Sequence, residues 1–115
     1  MNEHSSFKIL DSGKRLKFKG GMLRDTGEEK INYLLVYDGP MLHRWADHLT
    51  KGTKKYSKRN WMKAGGEEEY ERFVESAARH FYQWVIGEKT EDHAAAIFFN
   101  INGAEYVKSK MAKGL

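Results

Sequence analysis

The chain is 115 residues long, carries a net charge of +4 and contains no cysteine. This length predicts a single folded domain, and the absence of cysteine excludes disulfides, thiolate nucleophiles and cysteine zinc sites. No run of apolar residues is long enough for a secretory signal or a membrane helix, so we expect a soluble cytoplasmic protein with no membrane partner.

Charge is distributed unevenly along the chain. Residues 1–63 contain 14 Lys or Arg and 7 Asp or Glu, a net charge of +7, whereas residues 64–115 contain 6 and 9, a net charge of −3. A basic half beside an acidic half suits a phosphate-rich ligand that arrives with a divalent metal ion. It suits a long nucleic acid less well, because the acidic half would repel duplex phosphates, so we expect no stable nucleic-acid complex.

The N-terminal segment carries weak signals for regular structure. Residues 1–12 lack periodicity and are predicted to form a flexible arm, which leaves 13–115 as the single domain. Residues 14–19 alternate basic and apolar side chains and could form a short strand that ends at the following glycine pair. The apolar run 31–37 could be a strand or a helix.

A helix is predicted over residues 40–51, because Pro40 favours a first helical turn and apolar residues follow at helical spacing. The segment 52–66 is a predicted loop in which lysines and arginines alternate with aromatic residues and Asn60. Cationic side chains can bind phosphates, an aromatic ring can stack on a base and an amide can read a base edge. The alternative is a solvated basic loop whose aromatic residues fill the core.

Two further helices are predicted over residues 67–86 and 91–111. In the first of these, Glu67, Glu71 and Glu75 lie one turn apart at the edge of an apolar stripe. Carboxylates grouped in this way repel one another unless a cation lies between them, so they indicate a divalent metal ion. The alternative for the acids of the first turn is the ordinary complement to the helix macrodipole.

The last predicted helix is apolar on nearly every side, which favours burial and a homo-oligomer, a dimer or a tetramer. Its polar exceptions are Asp92 and His93 at the start and Asn100 two turns later, within about 20° of His93 around the helix axis. Asp92 could alternatively be an N-cap. His80, on the preceding helix, could alternatively be a satisfied core histidine.

Three motifs, in this order, carry a resemblance to a known family. They are Gly21-Met22-Leu23-Arg24-Asp25, then Lys55-Tyr56-Ser57-Lys58-Arg59-Asn60-Trp61, then Ser76-Ala77-Ala78-Arg79-His80 followed by Trp84, Gly87, Glu88, Asp92 and His93. In these motifs the chain resembles the phage-type dATP/dGTP diphosphohydrolase family, which is related to the MazG-like all-α nucleoside triphosphate pyrophosphohydrolases. The resemblance covers roughly residues 13–107.

The resemblance implies an all-α, MazG-like domain of about three main helices with an irregular basic N-terminal segment. It implies hydrolysis of a (deoxy)nucleoside triphosphate such as dGTP or dATP to the monophosphate and pyrophosphate, with Mg²⁺ or Mn²⁺ as cofactor, in a phage-infected or prophage-carrying bacterial cell. The implied metal ligands are Glu71, Glu75, Glu88 and Asp92. The residues implied in catalysis are Glu75, Glu88, Asp92 and His80, and those implied in substrate binding are Arg24, Lys55, Arg59, Asn60, Trp61, Arg79, His93 and Asn100.

Two other functions compete with hydrolysis. Family members often have a longer segment between the last acid and the next histidine, whereas Asp92 and His93 are adjacent here. This difference favours a non-catalytic protein that sequesters a nucleotide or a nucleotide signal, or that regulates a partner. The basic half of the chain favours, more weakly, an accessory protein that binds nucleic acid.

Overall fold

A computed structural model describes residues 8–26 and 30–114, and in these ranges it contains three α-helices and one two-stranded sheet. The strands are β1 (Arg15–Lys17) and β2 (Leu23–Asp25), and the helices are α1 (Met41–Gly52), α2 (Glu67–Val85) and α3 (His93–Ala112). Two short 3₁₀ helices cover Tyr33–Tyr37 and Asn60–Lys63. The prediction of a small all-α domain is therefore confirmed. Within the described ranges no helix has the length and apolar character needed to cross a bilayer.

The chain divides into two compact units between Leu35 and Val36. The first unit contains the antiparallel hairpin, in which Arg15 pairs with Asp25 and Lys17 with Leu23. The predicted strand over residues 14–19 is shorter than expected, and its partner β2 was not anticipated. The apolar run 31–37 forms a 3₁₀ helix over most of its length.

The predictions of a flexible arm over 1–12 and of a single domain over 13–115 stay predictions. Residues 1–7 of that arm lie outside the described part of the chain.

In the second unit α2 and α3 pack side by side and run in opposite directions. The rings of Phe73 and Phe99 lie 6.1 Å apart in an edge-to-face arrangement. Nearer the end of α2 and the start of α3, the ring of His80 contacts the ring of His93. Small residues let the two backbones approach closely, because α3 buries three consecutive alanines at 94–96 and also Gly103. An apolar helix with so many small residues is suited to the centre of a bundle.

Helix α1 packs along α3 in the same direction. Its Trp45 lies edge-on to Phe98 with the ring centroids 6.1 Å apart, and its His48 lies 5.3 Å from the ring of Phe99. The connection from α1 to α2 is then held at the far end of α3, where Lys110 Nζ donates hydrogen bonds to two backbone carbonyls at 3.2 and 3.0 Å. These carbonyls belong to Met62 and Ala64. Helix α3 thus positions both other helices and the segment between them.

Gly103 tests this close approach. A Cβ atom at this position would lie 2.5 Å from Cε1 of Phe73, so Gly103→Ala should lower the free energy of unfolding by about 1–3 kcal/mol, despite the better helix propensity of alanine. Denaturant unfolding measures the loss. In the control Gly52→Ala, the added methyl meets nothing within 4 Å, and no loss is expected. If Phe73→Leu does not restore part of the stability to Gly103→Ala, the predicted clash is not the cause.

Candidate functional site

The junction between α2 and α3 brings together several of the predicted site residues. Gly87 turns the chain with a positive φ of 78°, which favours glycine, and the amide of Glu88 donates to the carbonyl of Gln83 at 3.0 Å. The Glu88 carboxylate then accepts a hydrogen bond from the amide of Thr90 at 2.8 Å. This short turn places His93, the first residue of α3, against α2, where its side chain is only 1 % exposed.

Glu88, His93 and His80 form a hydrogen-bonded chain. The Glu88 carboxylate contacts Nε2 of His93, and Nδ1 of His93 lies 2.8 Å from Nδ1 of His80. Hydrogen bonds from Thr90 and His93 lower the pKa of Glu88 to about 2, so the carboxylate is ionised and accepts the Nε2 hydrogen of His93. Nδ1 of His93 then accepts the Nδ1 hydrogen of His80. Burial lowers the pKa of His80, which keeps that ring neutral.

The donor set at this junction fits a divalent metal ion. His80, Glu91 and His93 each offer one ligand atom, and these atoms lie within 4.8 Å of one another. A metal bound to two imidazoles at about 2.1 Å, in neighbouring coordination positions, holds the nitrogens about 3.0–3.4 Å apart, close to the 2.8 Å observed between His80 and His93. Coordination would therefore need small movements of the side chains and the tautomer of His80 that carries its hydrogen on Nε2.

Asp92 is engaged by two other groups. It is the N-cap of α3 and accepts a hydrogen bond from the amide of Ala95 at 3.1 Å. Its two oxygens also accept bidentate hydrogen bonds from Arg44 of α1, at 2.8 and 2.5 Å. The Arg44 guanidinium lowers the pKa of Asp92 to about 2. The alternative considered for Asp92, an N-cap, thus describes one of its contacts, and the bond to Arg44 was not anticipated.

Glu71 and Glu75 lie on exposed positions of α2. The Glu75 side chain is 70 % exposed, and it pairs with Arg72 of the same helix at 3.9 Å. Among the described residues, the set Glu71, Glu75, Glu88 and Asp92 does not converge into a cluster of ligand atoms, and the group that does is His80 with Glu91 and His93. The four-carboxylate metal site stays a prediction that the geometry does not favour.

A cavity of about 680 Å³ opens in the second unit between the end of α1, the basic segment that follows it, and Phe99 of α3. It is lined by His48, Leu49, Thr50, Lys51, Gly52, Thr53, Lys55, Tyr56, Ser57, Lys58, Arg59, Asn60, Trp61 and Phe99. The lining thus contains four of the chain's cationic residues and no carboxylate. Lys51 pairs with Asp47 at 2.9 Å, whereas no ion pair is found for the other three cations within the described ranges.

Four residues predicted to bind substrate therefore lie at this cavity: Lys55, Arg59, Asn60 and Trp61. Arg59 has a positive φ of 57°, a conformation that costs an L residue free energy and that often occurs at functional sites. Trp61 also packs edge-on against Tyr106 with ring centroids 5.1 Å apart. Its ring therefore fills part of the core, as the alternative proposed, and borders the cavity as well.

The other predicted substrate residues lie elsewhere. Arg24 belongs to β2 of the first unit, and Arg79 is exposed on α2. Asn100 is buried and its Nδ2 donates to the carbonyl of Ala96 at 2.8 Å. It also lines a smaller cavity of about 180 Å³ between α2 and α3. His93 lies in the junction described above, apart from the residues that line the larger cavity.

Sequence reasoning did not select Arg44, His48 or Glu91. Arg44 and His48 lie one turn apart on α1, next to the apolar positions that pack on α3, and this placement of polar groups was the available signal. Glu91, an acidic residue of the turn before α3, gave no separate signal. Its proximity to the histidines depends on the path of the turn before α3, which local patterns do not specify.

Comparison with known families identifies the family of this chain. Residues 21–112 match the family described as dATP/dGTP diphosphohydrolase, N-terminal. The chain belongs to this family. The match includes the cavity, the junction and β2, and it confirms the resemblance seen in the three motifs. No curated protein and no solved structure matches the chain.

The Arg44–Asp92 pair gives a pH-dependent prediction for this dATP/dGTP diphosphohydrolase-family chain. Because the pKa of Asp92 is lowered from 3.8 to about 2 on folding, its contribution is present above about pH 4 and is lost as the pH falls to about 2. Arg44→Gln and Asp92→Asn, measured singly and together by denaturant unfolding, should show coupling of about 1 kcal/mol at neutral pH. The coupling should vanish near pH 2. The exposed Lys51–Asp47 pair is the control, for which weaker coupling is expected.

Proposed function

We propose that the chain hydrolyses a deoxynucleoside triphosphate to the monophosphate and pyrophosphate with the help of a divalent metal ion. The family supports the reaction, and dATP and dGTP are the first substrates to test. The proposal includes a bacterial cytoplasm as the setting and no stable complex with a membrane or a nucleic acid.

The composition of the larger cavity is the observation that carries this proposal. Lys55, Lys58 and Arg59 are cations without a carboxylate partner among the described residues, and together with Lys51 they border a space of about 680 Å³. Such a volume is in the range of small-molecule sites, which span roughly 300–1,000 Å³. Like charges are costly to hold together unless an anion compensates them. A triphosphate would supply that anion.

Uncharged groups in the same lining suit the nucleoside. Tyr56 and Trp61 present aromatic rings on which a base can stack, and Asn60 offers an amide that can donate and accept at a base edge. The Ser57 hydroxyl adds a donor for a phosphate or sugar oxygen, whereas the hydroxyls of Thr50 and Thr53 already donate to the carbonyls of Ala46 and Thr50. The cavity thus combines the groups that recognise each part of a nucleotide.

The cavity and the junction are connected through α1 and α3. His48 and Phe99 border the cavity, while Arg44, one turn before His48, binds Asp92 at the junction. Phe99 lies six residues after His93, about 9 Å along the axis of α3. A triphosphate bound by the basic segment would have to span about this distance to reach the junction.

The reaction needs a water nucleophile at the α-phosphorus and a stabilised pyrophosphate leaving group. The cations of the cavity hold the phosphate oxygens and compensate their charge. His80, Glu91 and His93, the last oriented by ionised Glu88, would hold a divalent ion. When bound, a divalent ion would neutralise phosphate oxygens and lower the pKa of a water molecule.

A second candidate is a protein that binds the nucleotide without hydrolysing it. The contact of Arg44 with both oxygens of Asp92 favours this function, because it removes one of the predicted metal ligands from the set. In that case the cavity would bind the triphosphate as before, and no turnover would follow.

Incubation with dATP, dGTP and the other nucleoside triphosphates, with Mn²⁺ or Mg²⁺, tests the proposal. Phosphorus NMR should show the monophosphate and pyrophosphate as the two products. Tight binding by calorimetry without products would favour the sequestering function. Absence of both binding and turnover, together with tight and salt-sensitive binding of duplex DNA, would favour the accessory protein instead.

Arg59→Gly separates a role in binding from a role in folding. Removing the guanidinium should weaken triphosphate binding by about 1.5–3 kcal/mol, the range for a hydrogen bond to a charged group. Glycine should also keep or raise the stability by up to about 1 kcal/mol, because it tolerates the positive φ of 57°. Lys54→Gly removes a cation of the same segment that does not line the cavity and should leave binding unchanged. Equal losses in both variants would point to general electrostatic attraction.

Exposed apolar residues support the proposed homo-oligomer. Val74, Phe81 and Val85 share one face of α2 and are 44 to 62 % exposed, and Ile101 of α3 is 51 % exposed. Phe98 is also exposed, whereas Phe99 packs inside the unit. Light scattering should show a dimer or a tetramer, and Ile101→Lys should give the monomer. Glu105→Lys, at an exposed position of the same helix, is the control; a monomeric wild type would contradict the prediction.

A further inference from the structure

The junction between α2 and α3 contains two buried imidazoles that face each other. His80 is 7 % exposed and His93 is 2 % exposed, and their Nδ1 atoms are 2.8 Å apart. Histidine is intermediate in its tendency to be buried, and a pair with converging ring nitrogens is uncommon in an apolar core. Glu91 adds a carboxylate oxygen within 4.8 Å of the ligand atoms of both rings. Two imidazoles and a carboxylate thus converge from α2, the turn and α3.

Glu88 contacts the ring nitrogen of His93 that does not face His80. Its carboxylate accepts the Nε2 hydrogen of His93 and so directs the lone pair of Nδ1 towards His80. Histidines that bind metals almost always donate their other ring hydrogen to a carboxylate, a carbonyl or water, which fixes the tautomer and raises the basicity of the ligand. The contact with Glu88 therefore provides the orientation that a metal ligand needs.

A further polar atom is available nearby in the sequence. Gln83 lies one turn after His80 on α2, and its Oε1 is buried without a hydrogen-bond partner among the described residues. Buried polar atoms nearly always have a partner, so this oxygen is an acceptor that the described side chains do not satisfy.

We propose that His80, His93 and Glu91 form a binding site for a divalent transition metal ion, with Glu88 as the carboxylate that orients His93. The two nitrogen donors favour Co²⁺ or Zn²⁺ over Mg²⁺, which prefers oxygen ligands and retains most of its water, and Mn²⁺ should bind with intermediate affinity. Metal binding at this site does not depend on nucleotide hydrolysis, whereas a role for the metal in hydrolysis rests on the proposed function.

Cobalt binding tests the site without any nucleotide. Untagged protein, treated with a chelator and dialysed, is titrated with Co²⁺ while visible d–d absorption is recorded, and calorimetry gives the stoichiometry. We expect one Co²⁺ per chain, a d–d band, and affinity at least 100-fold above that for Mg²⁺. If Co²⁺ binds no more tightly than Mg²⁺, or if no band appears, the two histidines are a hydrogen-bonded core pair and the proposal is wrong.

Matched variants assign the ligands. Glu91→Gln changes an exposed residue, so the fold should persist, and Co²⁺ affinity should fall at least ten-fold. Glu75→Gln, also exposed and on α2, should bind Co²⁺ as the wild type does. His80→Gln should abolish the d–d band, with circular dichroism used to verify its fold. Unchanged affinity in Glu91→Gln, or a loss in Glu75→Gln, would overturn the assignment.

The outcomes also separate this site from the proposed function. Cobalt binding with no turnover of any nucleotide would support the site and count against hydrolysis. Turnover with Mg²⁺ that persists in His80→Gln and in Glu91→Gln, without cobalt binding, would support hydrolysis and overturn the site.

Discussion

The close packing of α3 against α2 is the constraint on which the rest of the second unit depends. Gly103 has no room for a Cβ beside Phe73, and the alanines at 94–96 are buried, so the two helices approach as closely as their backbones permit. This approach brings His93 to within a hydrogen bond of His80. A larger side chain along this seam would separate the helices and, with them, the two imidazoles.

The two ends of α3 carry different parts of the candidate site. At its start, His93 and Asp92 contact α2 and α1, and near its end Lys110 binds the carbonyls of Met62 and Ala64, just after the segment that lines the cavity. The basic segment is therefore anchored on its C-terminal side by Lys110, a cation that does not line the cavity. Because one rigid helix holds both parts, the distance between cavity and junction is fixed by its length.

The sequence was sufficient for the three helices and for the segment that borders the cavity. Apolar spacing and Pro40 predicted the helices to within two residues at each end. The chemistry of Lys55, Arg59 and Asn60 indicated a nucleotide-binding segment, and all three residues line the cavity. The proposed metal ligands were harder to predict. Glu71 and Glu75 are one turn apart on a single helix, but the face of α2 that contains Phe73 and His80 packs on α3 and leaves them in solvent, so that spacing alone does not bring them to a shared ion. To predict a site that is built from two helices and a turn, the rotation of each helix about its own axis must be known. The periodicity of residues at the edge of an apolar stripe does not define this rotation.

Charge is neutralised differently in the cavity and at the junction, and this difference suggests a separate role for each. At the junction two of the three carboxylates already have partners: Asp92 binds Arg44, and Glu88 binds His93 and Thr90. Those groups are ordered when the chain folds, so little reorganisation is required when a ligand arrives. In the cavity lining, by contrast, Lys55, Lys58 and Arg59 have no carboxylate to offset them in the described ranges. In the proposed function, attraction for the anion therefore comes from the cavity, and the junction supplies oriented groups for the chemistry on the bound ligand.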